Sequence, residues 1–444
     1  MTKIHELYQN EKEKRKEVLA QVNHIALTGD HWTSVNNNNY LGVTAHFISD
    51  TWELKSFALT ILKTEERHFA EACKEQFLSV ARKWDIEGKT KTIGTDSARN
   101  LVAAIRLTRY EHMNCVAHMV QRSVTVSLAE SGFVNALAKA RKVVGHFKHS
   151  PANAAELQAQ QVSLGKKQEP LIQDVPTRWN STLEMVKRVS RNKEAVIAAL
   201  DNQDHKLVLP TAAEWEKLQR LETLLEPCRY VTELLGGEAY VSTQELPSLC
   251  HLRLKMEACD EDPAYVVRFK TKFKEDLASR QEQLNNAWLQ IATVLDPRFK
   301  DLKCLPKIDR EAVWTTLERM LQQESPRKTH DDGPSRKKIS LLQMGSDSES
   351  EDEEVQPAIQ RYRAEPTIKL EDCPLRWWAS HSGAHEKLAS LAHKYLATPA
   401  TTFPCERLFS VAGHIVNKKR SALLSENVNK LVCLSNWLKD DEAQ

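Results

Sequence analysis

The chain has 444 residues, of which 41% are hydrophobic, enough to bury a sizeable core and to divide into more than one domain. Its formal net charge of +2 points to no partner by itself, and nine cysteines scattered without CxxC pairs argue against a disulfide framework. With no signal peptide and no apolar run long enough to span a bilayer, a membrane role is excluded and a reducing compartment, cytosol or nucleus, is expected.

In chain order, residues 1–22 form a charged segment that reads as a helix. HIALTGDHWTS is a short apolar run carrying Asp30, followed by the turn-forming Asn36 to Asn39. YLGVTAHFIS and ELKSFALTIL alternate as strands around a turn near Asp50. Residues 65–84 show helical periodicity through Phe69, Cys73, Phe77, Val80 and Ala81. TKTIGT is a further strand delivering Asp96 at its C-terminal end, a helix follows from Ala98, and YEHMNC begins a strand that passes into another helix. This order predicts a mixed sheet whose first three strands are antiparallel, with Asp30 and Asp96 facing each other.

Near the C-terminus, TPATTFPCERLFSVAGHIVNKKRSALL (398–424) enters through Pro399 and Pro404. Leu408, Phe409, Ala412, Ile415 and Val416 then recur at helical spacing, so a helix is predicted from about Cys405. Glu406 falls in its first turn, where the helix dipole favours a carboxylate. Alone it reads as a solvated first-turn acid; together with Asp30 and Asp96 it reads as the third member of an acidic pocket. Three convergent carboxylates are what a two-metal phosphoryl-transfer site requires, with Mg²⁺ or Mn²⁺ as the cations.

These stretches are similar to the motifs of the hAT transposases and of the BED-finger proteins domesticated from them. TGDHWTS resembles the motif around the family's first catalytic Asp, here Asp30; GTDSARN resembles the second, here Asp96. CERLFSVAG with the following KKR resembles the C-terminal block, whose Glu is here Glu406. The CxxH of Cys115 and His118 and the RW of Arg178 and Trp179 agree. The resemblance implies an α/β fold: an RNase H-like mixed-sheet core interrupted by a large all-α insertion and closed by a C-terminal helical hAT dimerisation region. It also implies catalytic and metal-binding roles for Asp30, Asp96 and Glu406, and a DNA-contacting role for Arg178 and Trp179, the Trp stabilising flipped bases.

Read from their chemistry, Cys115 and His118 could supply two metal ligands or serve structure alone, and without a second Cys/His pair no closed zinc site is expected. Arg178 could meet a phosphate and Trp179 could stack on an unpaired base or anchor a core.

The expected organisation is a first part of the core at 1–130, an all-helical insertion at 131–324, a disordered basic and acidic linker at 325–366, and a C-terminal part at 367–444. ATVLDPRFK (292–300) is a further family phrase without assignable chemistry. In the linker, Arg327, Lys328, Arg336, Lys337 and Lys338 resemble a nuclear localisation signal, and an acidic serine tract follows. Ile339, Leu341 and Leu342 before that tract resemble a SUMO-interacting strand, and Lys369 in IKLE has the form of a SUMO acceptor. Trp377, Trp378, Leu431, Val432 and Trp437 lie on apolar faces expected to hold a homodimer or larger assembly, although intramolecular packing fits the same stripes.

The functional expectation is a nuclear, DNA-associated dimer derived from a transposase and acting in transcription or chromatin regulation. The alternative is an active metal-dependent cut-and-paste transposase. All three acids favour the second reading, whereas the absence of an N-terminal BED finger from the sequence favours the first.

Overall fold

The alternating stretches of the N-terminal quarter fold as strands of one sheet. A computed structural model describes residues 2–34, 36–64, 69–176, 178–237, 242–324, 351–416 and 423–442. Helix α1 (Thr2–Gln21) precedes β1 (Ile25–Thr33), β2 (Asn39–Ile48) and β3 (Leu54–Thr64). Helix α2 (Ala70–Lys83), β4 (Thr90–Thr95), α3 (Arg99–Arg106) and β5 (Glu111–Asn114) follow. The sheet runs β3-β2-β1-β4-β5. β1 pairs antiparallel with β2, and β2 with β3, while β1–β4 and β4–β5 are parallel. This is the mixed, RNase H-like arrangement that the sequence predicts.

Beyond β5 the described chain is helical: α4 (Val116–Glu130), α5 (Val134–Lys148), α6 (Pro151–Ser163), α7 (Trp179–Arg191) and α8 (Lys193–Asp201). They are followed by α9 (Ala212–Gly236), α10 (Glu245–Lys255), α11 (Ala264–Gln281), α12 (Asn286–Val294) and α13 (Lys307–Glu324). The last five are α14 (Glu351–Ala364), α15 (Pro374–His381), α16 (Glu386–Leu396), α17 (Phe403–Ile415) and α18 (Ser425–Glu442). Local signals set several boundaries. Thr211 and Glu214 close a capping box on α9, and Ser150 caps α6 just before Pro151.

The elements group into two compact units. One, here the sheet unit, comprises Met1–Asn114, Glu238–Pro247 and Asn285–Gln444; the other, the helical unit, comprises Cys115–Gly237 and Ser248–Leu284. Helices α12 and α13 therefore belong with the sheet, although they lie inside the 131–324 stretch read from sequence as insertion. The reason is a polar and aromatic seam. Thr243 donates to Asp296 at 2.8 Å, Thr293 to the Thr243 carbonyl at 3.3 Å, and Trp288 meets Tyr395 at 4.1 Å between ring centroids.

The linker expectation also needs correction. Residues 351–364 form helix α14, and its Ile359 and Tyr362 are buried. Tyr362 donates to the Val294 carbonyl at 3.0 Å and stacks on Trp378 at 5.5 Å, so two well-placed apolar anchors outweigh the charged composition. Residues 325–350, with the SUMO-interacting candidates Ile339, Leu341 and Leu342, lie outside the described residues.

Helix α18 seals the sheet's β3 edge. Asn429 accepts from the Ile61 N–H and Asn436 from the Ala58 N–H, each at 2.8 Å, and Trp437 donates to the Ala58 carbonyl at 2.9 Å. Arg15 of α1 reaches the Trp437 carbonyl at 3.0 Å, and Tyr8 stacks on the indole at 5.3 Å. An edge strand whose amides are occupied in this way cannot accept a further strand there.

The side chains expected to hold a dimer are largely spent within the chain. Trp378, Val432 and Trp437 are fully buried, while Trp377 and Leu431 are half-buried. Trp378 donates to the Leu295 carbonyl at 2.9 Å and stacks on Trp52 at 5.8 Å. The apolar stripes are there, but Trp378, Val432 and Trp437 cover surfaces of their own chain.

Candidate active site

Two glycines bring helices onto opposite faces of the sheet next to Asp30. Neighbouring residues along a strand point to opposite faces, whereas directly opposed residues on paired strands share one. A Cβ on Gly29 would stand 2.3 Å from the Phe77 ring of α2, and one on Gly42 would stand 2.7 Å from the Phe409 ring of α17. Only glycine permits either approach.

Gly42 is the register partner of Asp30, Thr44 of Thr28, and His46 of Ala26. Asp30, Thr28, Thr44 and His46 thus share the α17 face. On the other side of β1, Thr28 pairs with Gly94, the last pair of that parallel register, and Asp96 follows one residue past the end of β4. The pairing thus ends two residues short of both aspartates.

The local bonding of both acids is defined. Asp30 Oδ1 accepts from the His31 N–H at 2.8 Å, and Asp96 Oδ1 accepts from the Ala98 N–H at 3.1 Å, just ahead of α3. Both acids are half-buried. Glu406, half-buried as well, sits in the first turn of α17 with Pro404 at the helix start. It is three residues ahead of Phe409, which stacks on Trp32 at 5.9 Å.

Beneath the acids lies a buried polar cluster. Thr28 and Thr44 share a hydrogen bond, and His46 Nε2 lies 2.7 Å from Thr44 Oγ1 and 3.2 Å from Thr28 Oγ1. Cys405 Sγ lies 3.4 Å from Thr28 Oγ1 and 3.5 Å from the Gly42 carbonyl. Burial pushes the Cys405 thiol up to about 12; the Thr28 hydrogen bond opposes, while the Asp30 and Glu406 carboxylates add to the rise. Burial, aided by the Arg407 charge, lowers His46 to about 3, so its imidazole is neutral.

Beside Asp96, His112 Nε2 lies 2.8 Å from Thr95 Oγ1. Burial and then the Arg106 charge lower His112 to about 4, with Asp96 opposing. Neither this histidine nor the polar cluster was singled out from the sequence. The available signal was parity: Gly42, Thr44 and His46 fall on alternate positions of an otherwise apolar strand.

Oxygen-only carboxylate donors suit hard cations such as Mg²⁺ or Mn²⁺. As the side chains stand, no three His, Cys, Asp or Glu among the described residues close a group spaced to hold a metal ion. That statement also covers Cys115, buried at the N-cap of α4, and His118, half-buried in its first turn.

Arg178 is exposed at the N-cap of α7, whereas Trp179 is 2% exposed. Trp179, Leu183 and Val186 form one buried stripe at i, i+4 and i+7, and the Trp179 N–H donates to Gln121 Oε1 at 2.9 Å. The expectation of a base-stacking Trp179 is corrected: its indole belongs to the core of the helical unit.

Comparison with known proteins adds three matches along the chain. The ZBED1 RNase-like domain matches residues 28–121, the ZBED1 RNase-like helical domain residues 113–224, and the hAT family C-terminal dimerisation region residues 358–438. A Zea mays protein described as an AC transposase is 26% identical over 98% of this chain and 59% of its own length. The human zinc finger BED domain-containing protein 4 is 23% identical over 92% of this chain and 37% of its own. A Talaromyces stipitatus protein described as transcriptional regulator tpeD is 22% identical over 99% and 56% respectively. The chain thus spans well under two thirds of the length of these relatives.

Proposed function

Because the chain belongs to the hAT transposases and their BED-type zinc-finger relatives, we propose that it acts in the nucleus as a DNA-associated homodimer in transcription or chromatin regulation. The observation that carries the reading is the match of residues 358–438 to the hAT dimerisation region, on a chain that keeps the RNase-like sheet and its helical neighbour. The relative described as a transcriptional regulator supports the regulatory half. No described helix is long and apolar enough to cross a membrane. Light scattering of the full chain, with and without duplex DNA, tests the proposal. Twice the monomer mass and a DNA-bound complex are expected; a monomer that leaves DNA free overturns it.

One observation favours a second reading, metal-dependent strand cleavage and transfer. Asp30 on β1 and Asp96 just past β4 each lie two residues beyond the Thr28–Gly94 pair, and Glu406 sits in the first turn of α17, whose Phe409 packs on Gly42, the register partner of Asp30. Asp30, Asp96 and Glu406 would hold Mg²⁺ or Mn²⁺, and such ions, when bound, activate an attacking hydroxyl and stabilise a leaving oxygen. The chain's own part is to hold three oxygen donors on rigid elements and keep neutral His112 beside Asp96, adding no competing cation. Three acids gathered without a cation repel one another, so metal affinity should depend on each. Asp96→Asn should weaken Mn²⁺ binding by at least roughly tenfold and abolish any Mn²⁺-dependent nicking of DNA. A variant indistinguishable from the parent in both assays ends this reading.

Lys369 is exposed, with its backbone N–H bonded to Asp372 Oδ2 at 3.1 Å, and is proposed as a SUMO acceptor. Conjugation that persists undiminished in Lys369→Arg would exclude it.

A further inference from the structure

We propose that Cys405, Thr28, Thr44 and His46 are positioning residues: a buried hydrogen-bonded cluster that pins the first turn of α17 to β1 and β2 and so sets where Glu406 stands relative to Asp30. The proposal rests on the acid-site reading above and assigns new roles beneath it.

The cluster is costly unless it does something geometric. Thr28 is 0% exposed, Thr44 2%, His46 3% and Cys405 0%, on a sheet face whose other buried side chains are mainly apolar. Burying polar groups is unfavourable unless each finds a partner, and apolar side chains of similar size would pack there without that demand. Apolar packing is non-directional and tolerates small slips of a helix over a sheet. A connected hydrogen-bond network does not, because each member fixes the orientation of the next.

The partners here form a continuous chain. The Cys405 thiol can donate to Thr28 Oγ1 at 3.4 Å, with the Gly42 carbonyl at 3.5 Å as its alternative acceptor, and Gly42 is the register partner of Asp30. Thr28 can donate to Thr44, and Thr44 to Nε2 of the neutral His46 at 2.7 Å. Each donor in that order has an acceptor and no charge is buried.

The sequence position completes the argument. Cys405 immediately precedes Glu406 in the first turn of α17, so a shift of one moves the other along the same short rise. On the same turn face, Gly42 admits the Phe409 ring where any side chain would collide. Close approach is thus set by glycine, and the lateral position by the thiol and hydroxyls. Neither device touches a substrate or a metal ion; both act through Glu406.

The test uses the full chain as Cys405→Ala, Thr44→Val and Cys405→Ser, the last keeping a hydroxyl donor in place of the thiol. Backbone hydrogen exchange over residues 403–409 is measured without metal, Mn²⁺ affinity by calorimetry, and the thermal midpoint as a control for unfolding. Cys405→Ala and Thr44→Val should exchange faster over that turn and bind Mn²⁺ about tenfold more weakly, the worth of one lost hydrogen bond. Cys405→Ser should stay within about twofold of the parent. Unchanged exchange in the first two variants overturns the proposal, as does faster exchange with unaltered Mn²⁺ affinity. A loss of affinity that merely follows a lowered midpoint also overturns it. Should the parent bind no Mn²⁺, the acid-site reading falls, and the exchange measurement alone decides the pin.

Discussion

In the sheet unit, Asp296 and Arg298 form an ion pair sealed on both sides, with side chains 0% and 5% exposed. In the helical unit, the pair between Asp174 and Arg141 buries the aspartate completely but leaves the arginine 32% exposed. Each unit also has polar contacts of the other kind: buried Gln161 donates to Asn192 Oδ1 at 2.9 Å among the helices, and Arg82–Glu75 stands at the surface of the sheet unit. Around the sheet, buried hydroxyls, a thiol and a neutral imidazole are tied into one network under the acids. Among the helices, pairs such as Arg229–Glu233 and Arg220–Glu216 stand at the surface, and the motif tryptophan Trp179 has been drawn into an apolar stripe. What sets the sheet unit apart is that its hydroxyls, thiol and imidazole are gathered in one place, under the first turn of α17. A polar network at the base of one helix turn holds that turn more rigidly than apolar packing alone would.

The largest expected effect tests the ion pairs directly. Arg298→Met leaves Asp296 buried with only Thr243 as a side-chain partner, and should cost about 3–5 kcal/mol. Arg141→Met leaves Asp174 bonded to Thr182 at 2.9 Å and Gln173 at 3.2 Å, and the arginine it loses is itself 32% exposed. About 1 kcal/mol is expected there, allowing for the exposure of the arginine. Hydrogen exchange in denaturant, read separately over each unit, measures both, since two units need not unfold as one. Equal losses would erase the contrast.

Much of this was legible in the sequence, and the part that was not has a physical cause. The apolar run through Asp30 and the strand TKTIGT before Asp96 placed one acid on β1 and the other just past β4, and Pro404 with the spacing of Leu408, Phe409 and Ala412 placed Glu406 in a first turn. Those signals are local. The Cys405–Thr28–Thr44–His46 cluster depends on the pairing of β1 with β2 and on a helix some 360 residues downstream, which no window of sequence contains. Trp378 and Trp437 were read as interface anchors because an apolar stripe does not declare whose surface it covers; their indole N–H groups bond the Leu295 and Ala58 carbonyls of the same chain. Tyr362 was hidden differently. Charged and polar residues dominate the composition of residues 351–365, while two buried side chains, Ile359 and Tyr362, suffice to dock the helix.

The second effect sharpens the account of how α17 reaches the sheet. Gly42→Ala puts a methyl group 2.7 Å from the Phe409 ring, which is stacked on Trp32 and has little room to turn. A loss of about 1–3 kcal/mol in the sheet unit is expected, with α17 displaced. Gly88→Ala, where nothing lies within 4 Å, should stay within about 0.5 kcal/mol of the parent. If denaturation midpoints show the two alanines to be equally mild, α17 is not held by close approach.

The smallest effect separates the units by acid. Burial lowers His46 to about 3, against an ordinary value near 6.5, so between these limits the unfolded chain binds a proton that the folded chain refuses. Stability therefore falls as pH drops below about 6.5 and continues to fall until about pH 3, at up to about 1.4 kcal/mol per pH unit from this one group. His24, lowered by burial to about 4, adds to the same slope in the same unit. In the helical unit, His251 is lowered by burial and the Lys255 charge, and it is only half-buried. Between pH 6.5 and 5.5 the sheet unit should consequently lose more protection from hydrogen exchange than the helical unit. His46→Gln, which can still bond Thr44 but cannot take up a proton, should remove up to about 1.4 kcal/mol of that loss. An unaltered acid slope in His46→Gln would mean that the imidazole does not stay neutral inside the network, and the directional chain from Cys405 to His46 would lose its terminus.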